Sequence, residues 1–200
     1  MRGQGVASKR DRNRAWPDLD DEVQLIARVR ARDLRAFERL YRDYRPRLTR
    51  FLIHLIHRPN LVEEILDDTM LVVWSQPDMF VDSGSKLSTW IFAIAYRKGL
   101  NALKRQDDPV EDKDPEFRAS TDAGPEQQVG ARQAREVLLR TMGQLSPDHR
   151  AVVDLTYFQE IGYREIAEIM ECPVDTVKTR MYYARRHLKR LLAGGLEDWL

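Results

Sequence analysis

The residue types best suited to chemistry lie near the carboxyl end, where Lys178, Thr179, Tyr182, Tyr183, Arg186, Lys189 and Arg190 recur at helical spacing. At about 100° per residue these seven share one side of a helix, while Val177, Met181, Ala184, Leu188 and Leu191 share the other. Cations suit phosphate oxygens, and hydroxyls and aromatic edges suit base edges in a groove. From Thr176 to Leu196 there are six basic residues and no acidic one. A solvated helix face usually mixes signs to gain i,i+4 pairs, so this one reads as a face for a polyanion.

A second basic stretch runs from Lys86 to Arg105, with five basic residues and again no acidic one. Leu87, Trp90, Ile91 and Ile94 suit a core there, and Arg97, Asn101, Lys104 and Arg105 line another face. Glu63, Glu64, Asp67 and Asp68 form a compact acidic group. Their spacing can converge on a divalent cation, but magnesium enzymes draw carboxylates from several elements and no further base is at hand. His54 and His57 stand one turn apart with no third ligand nearby. The single cysteine, Cys172, allows no internal disulfide and cannot hold zinc alone, which points to a reducing cytoplasm. Neither a nucleophile, base and orienter arrangement nor a Gly-rich phosphate loop is evident. The expectation is therefore a binding protein with no catalysis of its own, no metal and no cofactor.

The elements that must position these residues are helices throughout, because apolar positions recur at three and four and no useful strand alternation occurs. The expected class is all-α: two small helical domains joined by an acidic flexible linker, the second carrying a helix-turn-helix. Residues 1–19 read as a basic flexible tail, 20–106 as the first domain, 126–194 as the second and 195–200 as a tail. Residues 107–125 hold three prolines and seven acidic residues against two basic ones, and have little to bury. With 33 Lys and Arg against 32 Asp and Glu, net charge says nothing about partners, whereas its segregation does. No apolar run approaches the roughly 20 residues of a membrane span, so no membrane insertion is expected.

In the first domain a short helix holds Val23, Leu25, Ile26 and Val29, and Asp33 is placed to cap the next one. Phe37, Leu40, Tyr41, Tyr44 and Leu48 share a face that Phe51, Leu52 and Leu55 continue, with Pro46 a possible bend. A third helix spans about Asn60 to Trp74, Pro77 to Ser85 reads as a loop, and a fourth helix runs to about Gln106. In the second domain helices are expected over Glu126 to Met142, Pro147 to Phe158, Tyr163 to Met170 and Pro173 to Leu192. Glu171 and Cys172 make the turn before Pro173, a residue tolerated at the first helical position. Trp74 and Trp90 are expected in the core.

Residues 145–192, LSPDHRAVVDLTYFQEIGYREIAEIMECPVDTVKTRMYYARRHLKRLL, resemble the fourth conserved region of extracytoplasmic-function (ECF) sigma factors. That region typically reads LS, a hydrophobic helix, a GxSxxEIA-like stretch, then CPxGTVKSR with a basic continuation. FERLYRDYRPRLTRFLIHLI, LVEEILDDTMLVVW and KLSTWIFAIAYRKGLNALKRQ similarly resemble the second region of the same family. The resemblance implies that the terminal helix enters the major groove of an upstream promoter element. Contacts then fall on Lys178, Thr179, Tyr182, Tyr183 and Arg186, with Lys189 and Arg190 on phosphate.

It also implies that the acidic helix docks on core RNA polymerase. Glu63, Glu64 and Asp68 match the family's AEDLVQETFLRAW pattern, with Asp67 in place of a common glutamine and Val72 of a common basic residue; in the terminal helix Asp175 replaces the usual small residue before Thr176, and Tyr183 stands where a basic residue is common. Capture of a flipped base of the melted start-proximal element is implied for the loop from Phe80 to Lys86, including Asp82 and Ser85. Arg97, Lys98, Asn101 and Arg105 would track the strand. Core polymerase, promoter DNA and a cognate anti-sigma protein are the implied partners; a regulator using only the helix-turn-helix is the alternative.

Overall fold

The computed structural model describes residues 19–81, 84–106 and 140–192. Among these residues eight helices have defined bounds: α1 Leu19–Arg30, α2 Leu34–Ile56, α3 Pro59–Ser75, α4 Asp78–Val81, α5 Leu87–Gln106, α6 Pro147–Tyr157, α7 Tyr163–Ile169 and α8 Val174–Leu192. Residues 140–143 are helical as well, and no strand occurs among the described residues. The all-α expectation holds. The tails, the acidic segment 107–125 and most of the helix expected over 126–142 lie outside the described residues.

Local signals set the helix ends. The Asp33 carboxylate accepts backbone N–H bonds from Arg35 and Ala36 at 3.0 and 3.2 Å, a helix N-cap. The Arg28 guanidinium, 2.7 Å from the same carboxylate, joins those bonds in holding it below its ordinary pKa. Pro59 opens α3 and Pro147 opens α6, where the missing N–H has no partner to lose. The Ser146 hydroxyl accepts from the His149 backbone N–H at the start of α6. Pro46 sits inside a continuous α2. The segment expected to be a loop contains the single turn α4, which follows Pro77 and carries Asp78 in its first turn.

In the first half, α2 is the central helix, packed by α1, α3 and α5. Leu40, Leu48, Phe51, Leu52 and Leu55 are buried along it, and Phe51 meets Phe92 of α5 edge to face at 5.3 Å. Gly99 lets α5 approach closely, since a Cβ there would stand 2.7 Å from Leu55 Cδ2. Trp90 is buried and Trp74 partly so, its ring tilted against Phe37 at 5.0 Å. Val23, expected on the core face of α1, is 56% exposed, whereas Leu25, Ile26 and Val29 are buried.

The two halves are packed together, α6 against α2 and α7 against α5, with one continuous apolar core. Between α2 and α6 the buried His54 imidazole pairs with the buried Asp154 carboxylate. Gln159 donates to the other oxygen of Asp154 at 3.1 Å and accepts from Arg47 at 3.4 Å. The Phe158 ring covers His54 at 5.1 Å. A neighbouring bridge joins α5 to the second half, where Tyr96 donates to Asp148 at 2.7 Å and Arg180 pairs with the same carboxylate.

Candidate nucleic-acid interface

The helix-turn-helix is built from α7, a turn and α8. Glu171 in that turn has a left-handed backbone, φ 50, and Met170 ends α7. Val177, Met181, Ala184 and Leu188 of α8 are buried, which seats the helix on α6 and α7. The opposite face is open. Lys178, Thr179, Tyr182, Tyr183, Arg186, Lys189 and Arg190 are all exposed. Tyr182 and Tyr183 stand edge to face at 5.4 Å. Lys178 pairs with Asp175 at 2.9 Å, and the Thr179 hydroxyl donates to the Asp175 carbonyl at 2.8 Å. Arg190 donates to His187 at 2.9 Å. Cys172, expected buried at the turn, is only partly so, and its sulfur accepts from Arg180.

Of the residues expected to meet a melted strand, Arg97, Asn101 and Arg105 lie exposed along α5, and Lys98 is partly covered by a 3.0 Å pair with Asp68. Lys86 is exposed and pairs with Glu165, which holds its ammonium above the ordinary pKa. Ser85 donates to Glu168 at 2.9 Å. Phe80 is turned inward, 9% exposed with its ring 5.7 Å from Trp90, because α4 tucks it against α5. Asp82 lies outside the described residues.

The acidic helix α3 sorts cleanly. Val62, Ile65, Leu66, Thr69, Met70 and Val73 are buried, and Glu63, Glu64, Asp67 and Asp68 are exposed. Glu63 reaches Arg45 at 3.1 Å, and Asp67 accepts from Tyr41 at 3.1 Å. Glu63 and Asp67 reach towards α2 and Asp68 towards α5, so the spacing does not gather the acids into one cation cage. Among the described residues no group of three or more candidate ligands could hold a metal ion.

Two residues in this region escaped the sequence reading, Glu165 and Glu168, and Glu171 was read only as part of the turn. Their three-residue spacing along a short helix and its turn looks like any solvated edge, and no sequence signal pairs them with Lys86, Ser85 and Arg97. Arg97 meets Glu171 at 3.1 Å.

Fold and surfaces together define a class: an all-helical protein that presents the exposed basic helix of a helix-turn-helix, a cationic helix edge and a helix with an exposed acidic face. The family model for Sigma-70 region 2 matches residues 40–108, and that for Sigma-70, region 4, matches residues 135–188. The chain belongs to the sigma-70 family, as a sigma factor of the ECF type. It is 29% identical to the ECF RNA polymerase sigma factor RpoE of Cereibacter sphaeroides, over 86% of this chain and 97% of the relative. With RNA polymerase sigma-H factor of Pseudomonas aeruginosa it shares 26% identity over 90% of this chain and 97% of the relative. Its fold resembles that of CnrH in complex with the cytosolic domain of CnrY, with a TM-score of 0.66 and 23% identity over 89% of this chain and 99% of that one. The sigma factor RpoE in complex with the anti-sigma factor NepR from Bartonella quintana is similar at a TM-score of 0.61 and 25% identity, over 75% of this chain and 92% of that one.

Proposed function

We propose that this chain binds core RNA polymerase and directs promoter-specific transcription initiation, without catalysis of its own. The exposed acids of α3, Glu63, Glu64, Asp67 and Asp68, dock on the polymerase. The open face of α8 reads an upstream element, Lys178, Thr179, Tyr182, Tyr183 and Arg186 meeting base edges and Lys189 and Arg190 meeting phosphate. The edge around Ser85, Lys86, Arg97, Lys98, Asn101 and Arg105 takes the melted start-proximal strand, where phosphate contacts supply affinity and unstacked bases offer faces to bind. The observation that carries the reading is α8 itself, whose buried apolar side is separated from an open side that carries no acid after Asp175 in the first turn.

An anti-sigma protein controls the chain in the cytoplasm, in response to a stress or envelope signal; the similar sigma factor RpoE, solved in complex with the anti-sigma factor NepR, supports a partner of that kind. Among the described residues no helix is long and apolar enough to cross a membrane. The test is run-off transcription on genomic fragments with purified core polymerase. Discrete transcripts should appear only when the chain is added; DNA retardation with no change in transcripts would leave a regulator without sigma activity.

A further inference from the structure

Cations elsewhere on the described surface meet carboxylates, as Arg28, Arg39, Arg45 and Lys98 do. One cluster does not. An open cleft of about 490 Å³ lies between the start of α6 and the second half of α8, lined by Ser146 and His149 on one side and by Tyr183, Arg186, His187 and Arg190 on the other. No acidic residue lines it. Neither Arg186 nor Arg190 has a carboxylate partner among the described residues. Asp148, the acid next to His149 in sequence, is taken by Tyr96 and Arg180 instead. The two imidazoles are held through one nitrogen each: Nδ1 of His149 lies 2.8 Å from the Ser146 hydroxyl, and Nδ1 of His187 accepts from Arg190 at 2.9 Å. An Nδ1 that accepts leaves the ring proton on Nε2. That atom of His187 is buried with no hydrogen-bond partner among the described residues, so the ring still lacks an acceptor.

We propose that this cleft grips a backbone phosphate of the duplex flanking the upstream element, so that the start of α6 holds DNA together with α8. The proposal rests on the reading of α8 as the helix that enters the groove, and adds Ser146, His149 and His187 to its contacts. Guanidinium, imidazole and hydroxyl donors without a neighbouring acid suit the several acceptor oxygens of a phosphate. DNA is the source of that phosphate because Tyr183, Arg186 and Arg190 belong both to the cleft and to the open face of α8, so a strand lying along the face passes the mouth of the cleft. His149 makes the grip sensitive to protons. Desolvation holds its pKa below the ordinary value, with Asp148 of its own helix opposing and Arg180 and His187 of α8 adding to the effect. A bound phosphate favours the imidazolium. Near neutrality the complex therefore takes up a proton that the free chain does not carry, and DNA binding tightens as pH falls towards the pKa of the free chain; below it both states are protonated and nothing more is gained.

The test uses the polymerase holoenzyme and a fluorescent duplex promoter fragment recovered by run-off transcription, with binding read by anisotropy at fixed ionic strength. A neutral methylphosphonate replaces one phosphate at a time on both strands around the upstream element. At one or two adjacent positions the replacement should weaken binding by the parent about tenfold, as loss of a charged phosphate contact does. The double variant His149→Gln and His187→Gln should bind the unmodified duplex more weakly and lose almost nothing further at those positions. If no position is coupled to the two histidines, the inference is overturned. Between pH 7.5 and 6.0 the parent should tighten by about fivefold more than His149→Gln, which uptake of one proton over part of that range allows; equal tightening overturns it too. His149→Lys, which carries a fixed charge, should keep the phosphate coupling and lose the added pH dependence, a separation that a merely structural role for His149 would not give. Competition by millimolar inorganic pyrophosphate that the double variant escapes, with no coupled position on the duplex, would assign the cleft to a free anion and overturn its place on DNA. The reading of α8 is tested apart from the cleft, by alanine at Lys178 and Thr179, which do not line it: an unchanged ranking of upstream-element variants removes that reading, whereas a changed ranking with uncoupled phosphates removes the grip alone.

Discussion

On α8 the proposed division between reading a base and holding a phosphate rests on position along one face. Lys178 is restrained only by the exposed carboxylate of Asp175, a pair worth little in water, so its ammonium is available to a base edge. Alanine at Lys178 and Thr179 should therefore cost about 1–3 kcal/mol of discrimination among upstream-element variants, measured as transcription by the holoenzyme. Alanine at Lys189 and Arg190 should weaken all sequences alike and flatten the salt dependence. A ranking of variants left intact by the first pair would return α8 to a nonspecific polyanion surface. The open face itself was legible in the sequence because it needs only helical spacing and residue type. The partner of His54 was not: Asp154 is 100 positions away, and nothing local to either residue hints at the pair. Asp154→Ala should strand two buried side chains, His54 and Gln159, at roughly 1–3 kcal/mol each, read by chemical denaturation. Asp154→Asn, which keeps an acceptor and the shape, should lose less.

At the scale of elements, α3 shows how a helix serves a core on one side and keeps a charged face open on the other. Its buried positions carry the packing against α2 and α5, so its exposed acids are free to change. Glu64→Lys with Asp68→Lys should abolish co-purification with core polymerase while leaving the circular dichroism spectrum and unfolding midpoint nearly unchanged, because exposed charges contribute about 0–1 kcal/mol each. Full co-purification would move the docking surface elsewhere. Helix bounds were legible to within a residue or so where a cap or proline marks them, as at Asp33, Pro59 and Pro147. Between Pro77 and Ser85 they were not, because one turn such as α4 is too short for periodicity to register, and with it went the inward turn of Phe80.

For the molecule as a whole, the packing of one half on the other was the least legible feature, since it depends on pairs such as Arg47 with Gln159, 112 positions apart. It also creates a pH dependence that neither half would have alone. His57, at the end of α2, lies against Gly143 of the second half, 3.4 Å from where a Cβ there would stand. Desolvation, with the Arg150 guanidinium of the second half nearby, lowers its pKa from 6.5 to about 4, although the side chain keeps an exposed edge, so its weight in stability is modest. In the window between those values the unfolded chain takes up a proton that the folded chain refuses, so stability rises with pH across it. The contribution is complete above about 6.5 and is lost as pH falls towards 4, below which both states are protonated and no more is lost. Thermal unfolding midpoints between pH 4 and 7.5 should therefore fall more steeply on the acid side for the parent than for His57→Gln, which has no proton to take up. Parallel profiles would show that His57 is not desolvated by the second half, and that acid acts on the chain through its carboxylates alone.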